Sequence, residues 1–483
     1  MGLTCGTSSG PTRTIRPGGR NIRPRGFWGA IALLAACGCD GAVVPPAIPP
    51  VIDAVAVATN PDNVLSAAVV VHVRRADSVA VRYAPGPRLD SITPAVAPLG
   101  DSAVVPVLGL LPGAYYLLRV VAYGGGQTVL SDLRGFATDS LPLGLPSYVA
   151  SGVDPAPGYI VFAAGAYGLV IDNTGRVVWY HRFTLGPGLN FQPQATGRYV
   201  AHPPTADPSD VEPWVELDPL GRVTRTFGCA GGLPSRFHDM IAELDGSSWV
   251  MCDETRTMDL SGLGGVANAK VMGTVIQHLS AAGTLLFEWN PFDHFDITDL
   301  DSASRTGANV NWTHGNALDL DTDGNLLVSF RALSEITKID TKTGAVIWRM
   351  GGLRNQFTFL GAPSTGFVRQ HGLRVSGPGQ LMLLDNLGDP AGSQAERYAY
   401  DATLHTARLL GSYTPTPPVV ALLGGTTQQL SDGHLVVAFG NGERVEEYDA
   451  TGRMVWHIEG KSGYVFRAER INSLYHPGVG SPR

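Results

Sequence analysis

The chain has 483 residues, of which 44% are hydrophobic, 16% charged and 8% aromatic; this is enough apolar material for a large core and excludes global disorder. Its 35 Lys and Arg residues against 42 Asp and Glu residues give a net charge of −7, which argues against an overall nucleic-acid-binding surface. The 60 glycines and 35 prolines are spread through apolar runs and favour many tight turns and β structure over helical bundles.

The N-terminal segment has the pattern of an export signal. Five arginines and no acidic residue precede an apolar run over residues 27–36, which is too short to span a bilayer and fits a secretory signal peptide. The Leu-Ala-Ala-Cys motif that ends at Cys37 resembles a lipobox, in which the cysteine becomes the lipidated mature N-terminus. A small-residue cleavage site without lipid is the alternative. We expect residues 1–36 to be a signal peptide and the mature protein to be exported, with a lipid anchor in the outer membrane because Gly38 follows the cysteine.

Two segments follow the signal. Residues 37–50 are proline-rich and are expected to form an extended tether. Residues 51–142 alternate apolar and polar residues, with turn residues about every ten positions, which predicts a small antiparallel β-sandwich. Within it, the stretch GLLPGAYYLLRVVAYGGG (109–126) resembles the strand pair near the end of a fibronectin-type-III-like module.

One pattern recurs six times over residues 143–476. A short strand ends in aspartate or serine, a turn that usually contains glycine follows, and a second strand comes next. The anchoring residues lie 46–62 positions apart and are Asp172, Asp218, Ser280, Asp340, Asp401 and Asp449. Repeats of this length with several strands each are typical of propeller blades, with each hairpin as the outer pair. We therefore expect an all-β protein, a six-bladed β-propeller preceded by the sandwich.

A second element precedes several of these hairpins. It is an apolar strand that begins at glycine, and its copies are GSSWVMCD (246–253), GNLLVSFR (324–331), GQLMLLDN (379–386) and GHLVVAFG (433–440). Each copy is predicted to be an inner strand that ends near the central channel. Cys229 and Cys252 would stay in an oxidising compartment after export and are candidates for a disulfide.

Three histidines occupy matched places in this pattern. His238, His314 and His371 each precede the glycine of one such strand by eight to ten residues. Equivalent positions in blades around an axis converge on that axis, so three imidazoles are expected to face one funnel.

Two polar residues join the histidines. Asn316 is two residues beyond His314, and Arg331 closes the strand of the same repeat. A guanidinium beside imidazoles suits a ligand with several anionic oxygens. A metal ion held by the three histidines is the rival interpretation, and Arg331 disfavours it because a fixed cation repels a dication.

The motifs that carry these residues resemble a known family. HGNALDLDTDGNLLVSFR (314–331), QHGL near 370 and GGTTQQLSDGHLVVAFGNGERVEEYD from residue 424 are similar to the bacterial arylsulfotransferases, the aryl-sulfate sulfotransferases that do not use 3′-phosphoadenylyl sulfate. The resemblance covers about residues 150–470. It implies a six-bladed propeller behind a small β-sandwich, and ping-pong transfer of a sulfuryl group from an aryl sulfate ester, through a sulfohistidine, to a phenol.

The resemblance also implies roles for individual residues. His371 would be the nucleophile, and Thr426 or Thr427 would occupy the place of a threonine that contributes in the family. The residues that would hold the sulfuryl oxygens and the bridging phenolic oxygen are His238, His314, Asn316 and Arg331.

The implied chemistry is physically reasonable without a cofactor. A neutral imidazole is a good nucleophile, and a nearby histidinium or Arg331 would stabilise the departing phenolate. No GxxxxGK[ST] phosphate loop occurs, so no nucleotide, cofactor or metal is expected. Small-molecule aryl sulfates and phenols are the expected partners, and the oligomeric state stays open.

Two other functions are compatible with the same fold. One is a lipid-anchored ligand-binding or adhesion propeller without catalysis. The other is a different propeller enzyme such as a quinone-dependent dehydrogenase, a class that usually has more blades and a calcium site.

Overall fold

The structure is a computed structural model that describes residues 48–186, 188–204 and 213–478. The expected signal peptide and the expected lipidation site Cys37 lie outside these residues. Within the described ranges, helices are few and short: α1 (Pro291–His294) and single 3-10 turns at Ala230–Gly232, Ser261–Leu263, Ile297–Asp299 and Ala303–Arg305. None of these helices is long and apolar enough to cross a membrane.

Two antiparallel sheets form the N-terminal part. The first has the order β1-β2-β5 and consists of β1 (Val51–Thr59), β2 (Ser66–Arg74) and β5 (Ser102–Leu108). The second consists of β3 (Ser78–Ala84), β4 (Ser91–Ile92), β6 (Tyr115–Gly124), β7 (Gln127–Leu130) and β8 (Arg134–Ala137). Alternate residues of both sheets, such as Val71 and Val120, are buried in one shared core. The alternation in the sequence therefore predicted these strands correctly.

Six further sheets of four or five strands follow in the described residues. The first three contain, respectively, β10 (Tyr159–Ala164), β11 (Tyr167–Ile171), β12 (Val177–Arg182) and β35 (Ala468–Ile471); β13 (Phe191–Pro193), β14 (Tyr199–Ala201), β15 (Trp214–Leu217) and β16 (Val223–Phe227); and β17 (Ser235–Ala242), β18 (Ser248–Met258), β19 (Ala269–Leu279), β20 (Leu285–Trp289) and β21 (Asn309–Asn311).

The remaining three sheets repeat the same plan. They contain, respectively, β22 (Gly315–Leu320), β23 (Leu326–Phe330), β24 (Glu335–Ile339) and β25 (Val346–Gly351); β26 (Thr358–Leu360), β27 (His371–Gly377), β28 (Gln380–Asp385), β29 (Gln394–Asp401) and β30 (Thr406–Tyr413); and β9 (Ala150–Gly152), β31 (Thr426–Gln429), β32 (Leu435–Ala438), β33 (Val445–Tyr448) and β34 (Met454–Ile458).

The six predicted hairpins are all present. They are the antiparallel pairs β11–β12, β15–β16, β19–β20, β24–β25, β29–β30 and β33–β34. The predicted inner strands lie inside the hairpins but are not the innermost strands of their sheets. The segments that begin at Gly246, Gly324, Gly379 and Gly433 form β18, β23, β28 and β32, which are the second strands of their sheets. In these four sheets the strand before each of them lies at the edge.

The edge strands that face away from the hairpins form a closed series, and we call them the ring strands: β35, β13, β17, β22, β27 and β31. Side chains of consecutive ring strands bond the backbone of a neighbour. Gln192 donates to the Met240 carbonyl at 3.2 Å, Thr427 to the Gly372 carbonyl at 3.2 Å, and Gln428 to the Arg470 carbonyl at 3.0 Å. Strands β35 and β13 also contact each other, so the last ring strand of the chain meets the first one.

Tryptophans on the hairpin strands join neighbouring sheets. Trp179 and Trp456 are fully buried. The Trp179 indole donates to the Pro219 carbonyl of the next sheet at 2.8 Å, and the Trp456 indole donates to the Asn173 carbonyl at 2.9 Å. The second bond connects the sixth sheet to the first and so helps to close the series of sheets.

Candidate active site

The three matched histidines meet at one end of the ring strands. His238 lies near the start of β17, His314 immediately precedes β22, and His371 is the first residue of β27. The rings of His238 and His314 have centroids 4.9 Å apart. The Phe466 ring lies 5.8 Å from that of His238 and 6.3 Å from that of His371. The structure therefore gathers the three imidazoles into one cluster, in which Phe466 lies against His238 and His371 and His314 lies against His238.

His371 is held through its Nδ1 atom. This atom lies 2.8 Å from Oδ1 of Asn386, and the Asn386 amide donates to the carbonyls of Ala421 at 2.7 Å and Gly424 at 3.1 Å. An amide that donates through its nitrogen to two carbonyls turns its oxygen towards the imidazole, so Nδ1 carries the proton. The backbone N–H of Gly424 donates to Nε2 at 3.3 Å, which fits a lone pair on Nε2. The sequence interpretation gave Asn386 no role.

His238 and His314 are fixed by different contacts. The His238 ring stacks on Phe237, with centroids 4.0 Å apart, and its buried Nδ1 atom has no hydrogen-bond partner among the described residues. His314 has a φ of 49°, a left-handed conformation that costs free energy in a non-glycine residue. Its Nδ1 atom accepts from the Asn311 amide at 2.6 Å, which leaves Nε2 as its protonated nitrogen.

Arg331 and Asn316 lie beside His314. The backbone N–H of Arg331 donates to the His314 carbonyl at 3.0 Å, and its guanidinium donates to the Leu422 carbonyl at 2.9 Å. The Asn316 amide donates at 2.7 Å to the carbonyl of Gln370, the residue that directly precedes His371 in the sequence. In the described part of the chain, Nε of Arg331 and Oδ1 of Asn316 are buried and have no partner. Buried polar atoms without partners are uncommon in proteins and point to a bound group that would satisfy them.

Arginines give this end of the ring strands a positive potential. Arg236 pairs with Asp253 at 2.7 Å, and Arg369 pairs with Asp301 at 3.3 Å. Arg331 makes no ion pair within the described ranges. It is therefore the cation whose charge is least neutralised locally, and an anion would be attracted to it.

The environment keeps the histidines neutral. Burial lowers the pKa of His371 to about 4, whereas its hydrogen bonds to the Asn386 side chain and to the Arg369 backbone raise it. Burial and the neighbouring cations Arg236 and Arg331 lower the pKa of His314 to about 2. The pKa of His238 is also well below its ordinary value, first because of burial and then because of Arg236. A neutral His371 is a competent nucleophile. With all three histidines neutral, Arg331 and not a histidinium supplies the positive charge of the site.

A buried ionic network closes the ring beside the histidines. Arg467 bonds Asp239 at 3.0 Å, Glu469 at 2.9 Å and the carbonyl of His238 at 3.4 Å, and Arg374 bonds Asp239 at 2.8 Å. A cavity of about 630 Å³ lies beyond this network, at the other ends of the ring strands. Two carboxylates and two guanidiniums balance, so the network adds no net charge to the histidine cluster.

The two candidate threonines are bonded to backbone groups. The Thr426 hydroxyl accepts from the Ala468 N–H at 3.2 Å, whereas the Thr427 hydroxyl donates to the Gly372 carbonyl at 3.2 Å. Thr427 also lines the 630 Å³ cavity, and none of the other predicted site residues does. The structure thus brings the histidines, Asn316 and Arg331 together and shows no hydrogen bond from either threonine to a histidine in the described residues.

A metal ion is the rival ligand for this histidine cluster. In the ranges that the structure describes, no group of three or more His, Cys, Asp or Glu side chains has an arrangement that could hold a metal ion. The sequence interpretation did not identify Phe237 and Phe466, the two aromatic residues against the imidazoles. No periodic pattern marks them, since both lie outside the repeated segments.

Part of the chain matches the model of a known protein family. Residues 234–461, which include all three histidines, Asn316 and Arg331, match the family model described as Arylsulfotransferase (ASST). No curated protein sequence matches the chain.

Solved structures resemble the chain only distantly. A protein of unknown function from Bacteroides caccae has 12% identity and a TM-score of 0.41, over 65% of this chain and 98% of that one. A streptogramin B lyase has 13% identity and a TM-score of 0.37, over 65% and 84%. A catalytically inactive virginiamycin B lyase from Staphylococcus aureus has 9% identity and a TM-score of 0.36, over 66% and 91%. These similarities indicate no function for this chain.

Proposed function

Because residues 234–461 belong to the arylsulfotransferase family, we propose that this protein transfers a sulfuryl group from an aryl sulfate ester to a phenolic acceptor, through a sulfohistidine at His371. The family assignment supports an aryl-sulfate sulfotransferase activity. The choice of His371 and the ping-pong route through it follow from the resemblance of its motif to that family, and the contacts of the His371 imidazole are compatible with both.

One observation carries the proposal. Three residues of the histidine cluster each have a buried polar atom without a partner in the described residues: Nδ1 of His238, Oδ1 of Asn316 and Nε of Arg331. A site with unsatisfied polar atoms and an unneutralised guanidinium is suited to an anion with several oxygens. A sulfuryl group has this chemistry.

In the first half-reaction, the Nε2 lone pair of His371 attacks sulfur and the bond between sulfur and the aryl oxygen breaks. The electron pair of that bond leaves with the phenolate, and Arg331 stabilises the charge on its oxygen. The Nδ1 proton stays on the ring, so the intermediate is an imidazolium that carries a sulfonate on Nε2. Its positive ring makes it a good sulfuryl donor for the next step.

In the second half-reaction, a phenol attacks the same sulfur and the bond between Nε2 and sulfur breaks. The electron pair returns to Nε2, and the phenolic proton passes to a neighbouring base. His238 is the candidate for this role, because its imidazole is neutral and its buried Nδ1 atom has no partner among the described residues. This base then releases the proton to solvent, from which the phenolate of the first step takes one up, so the enzyme ends in its starting state and no cofactor takes part.

We also propose an architecture and a location for this activity. The six sheets and the closed series of ring strands support a six-bladed β-propeller over residues 143–476, behind a fibronectin-type-III-like sandwich over residues 51–142. The N-terminal motif supports export and a diacylglycerol anchor on Cys37. Mass spectrometry of the mature N-terminus tests the anchor, and an unmodified terminus at or beyond Cys37 would exclude it.

The activity is tested with p-nitrophenyl sulfate as donor and phenol as acceptor. We expect release of p-nitrophenol and formation of phenyl sulfate, with the parallel-line kinetics of a ping-pong reaction. Arg331→Ala should lower the rate about 100- to 1,000-fold, the usual loss for a positioned group that stabilises developing charge, and Arg331→Lys should recover part of it. No transfer from a series of aryl sulfates would contradict the proposal and favour a binding protein without catalysis.

A further inference from the structure

Asn386 is the side-chain hydrogen-bond partner of His371, the proposed nucleophile. It directly follows β28, the strand paired with β27, and it is 1% exposed. Its Oδ1 atom is the partner of His371 Nδ1 at 2.8 Å. A histidine has two ring nitrogens, and the partner of one decides which of them keeps a lone pair. The residue behind Nδ1 therefore controls the reactivity of Nε2.

The orientation of the Asn386 amide is itself fixed. Its nitrogen donates to two carbonyls, those of Ala421 and Gly424. A rotated amide would place its oxygen against these two carbonyls and its N–H groups against the imidazole, which would lose both bonds and create repulsion. The amide can thus present only its oxygen to His371.

The backbone around Asn386 is tied to the same segment. The Ser393 hydroxyl donates to the Asn386 carbonyl at 2.8 Å and accepts from the Ala421 N–H at 2.7 Å. Gly424, whose carbonyl accepts from Asn386, donates its own N–H to Nε2 of His371. The imidazole is therefore bonded on both nitrogens, with a donor at Nε2 and the Asn386 side chain as acceptor at Nδ1. The Arg369 backbone is a further hydrogen-bond partner of this ring.

From this geometry we infer that Asn386 is the positioning residue for sulfuryl transfer: it holds the proton of His371 on Nδ1 and so keeps Nε2 as the nucleophilic nitrogen. This inference rests on the proposed function, because it deepens the role of His371. It also defines the intermediate as the Nε2-sulfonated histidine. Through the whole cycle the Nδ1 proton stays between the ring and Asn386.

The first test is spectroscopic and needs no substrate. In ¹⁵N-histidine-labelled wild-type protein, the resonances that disappear in His371→Gln belong to His371. We expect a protonated Nδ1 and an unprotonated Nε2 at neutral pH. A proton on Nε2 in the wild type would overturn the inference, whatever the activity of the protein.

The second test uses variants of Asn386. Asn386→Ala removes the acceptor, so His371 should populate both tautomers and transfer from p-nitrophenyl sulfate should fall about 10- to 100-fold, the range found when an outer partner that orients a histidine is removed. Asn386→Asp keeps an oxygen at Nδ1 and should retain one tautomer, but its second oxygen faces the carbonyls of Ala421 and Gly424, so it should recover only part of that loss. Asn63→Ala, at a buried asparagine in the loop between β1 and β2, is the matched control and should leave the His371 tautomer and the transfer rate unchanged.

The outcomes separate the two proposals. An Asn386→Ala protein with one His371 tautomer and a rate within twofold of wild type would overturn the positioning role. If Asn386→Ala does not fold, the wild-type spectrum and the Asn386→Asp variant still test the positioning role. A wild type with the expected tautomer but no transfer from any aryl sulfate would contradict the proposed function and still support the positioning role.

Discussion

The individual histidines of the site are kept neutral by their surroundings. Burial disfavours the charged form of an imidazole, and Arg236 and Arg331 add to this effect at His314. The sequence interpretation allowed a histidinium or Arg331 to stabilise the leaving phenolate. The lowered pKa values favour Arg331, because guanidinium stays charged in proteins whereas these imidazoles do not.

These pKa values make the stability of the protein depend on pH. Unfolded histidines bind protons below about pH 6.5, but folded His371 does so only near its pKa of about 4. The free energy of unfolding should therefore be fully retained above pH 6.5 and should fall as the pH drops from there towards 4. Urea unfolding at several pH values measures this slope.

The contribution of one histidine can be isolated by substitution. His371→Gln should flatten the slope of unfolding free energy against pH, because it removes one group that gains a proton on unfolding. His476→Gln, at an exposed histidine, is the control and should leave the slope unchanged. An identical slope in wild type and His371→Gln would contradict the low pKa of His371.

At the scale of strands, local turn chemistry was predictable and the ring strands were not. The six hairpins follow from aspartate and glycine in short turns between apolar runs. The ring strand β31, in contrast, consists of the four polar residues Thr-Thr-Gln-Gln at 426–429, because it bonds neighbouring ring strands. It has no apolar alternation to detect, which is why the sequence analysis located the second strands of the sheets and not the edge strands beside them.

The role of Asn386 could have been found from the repeats. It ends the segment 379–386, and Arg331 ends the matched segment 324–331. The sequence predicted a role for Arg331 because a cation suits an oxyanion. The neutral amide of Asn386, at the matched position, has no comparable chemical signal. Its importance depends on the contact with His371 across the strand pair, which the pattern alone does not give.

The disulfide joins the segment before β17 to β18. Cys229 and Cys252 are bonded, with Cα atoms 6.1 Å apart and a sequence separation of 23, so the structure supplies the pairing that the sequence left open. Closing a loop of this length should contribute about 3 kcal/mol by restricting the unfolded chain. The double variant Cys229→Ala, Cys252→Ala should lose about this free energy of unfolding in denaturant titrations. Equal stability of the wild type with and without reductant would contradict this assignment.

At the scale of the whole molecule, the chain closes on itself through its last strand. Arg470 on β35 of the first sheet forms a buried ion pair with Glu447 on β33 of the sixth. It also donates to Asn173 at 2.7 Å, and Glu447 accepts from the Ala156 N–H at 2.7 Å. These partners lie up to 297 residues apart, so no local pattern could predict them. β9 and β35 were likewise beyond the reach of the sequence analysis.

Removing one partner of this ion pair should destabilise the closed series of sheets. Arg470→Leu leaves the Glu447 carboxylate buried without its cation, which should cost about 3–5 kcal/mol of unfolding free energy. The double variant Arg470→Leu, Glu447→Leu should recover part of that loss. Arg74→Leu, which breaks the exposed pair with Asp53 at 2.7 Å, should barely move the unfolding midpoint. A loss no larger than that of Arg74→Leu would show that Arg470 does not secure the closure.

The central claim is that His371 carries the sulfuryl group between donor and acceptor. The most direct measurement is to mix the enzyme with p-nitrophenyl sulfate without acceptor, quench, and determine by peptide mass spectrometry which residue has gained a sulfuryl group. The account predicts the gain on the peptide that contains His371, its loss when phenol is added before the quench, and no gain in His371→Ala. A sulfuryl group trapped on His238 or His314 instead, or full transfer activity in His371→Ala, would contradict it.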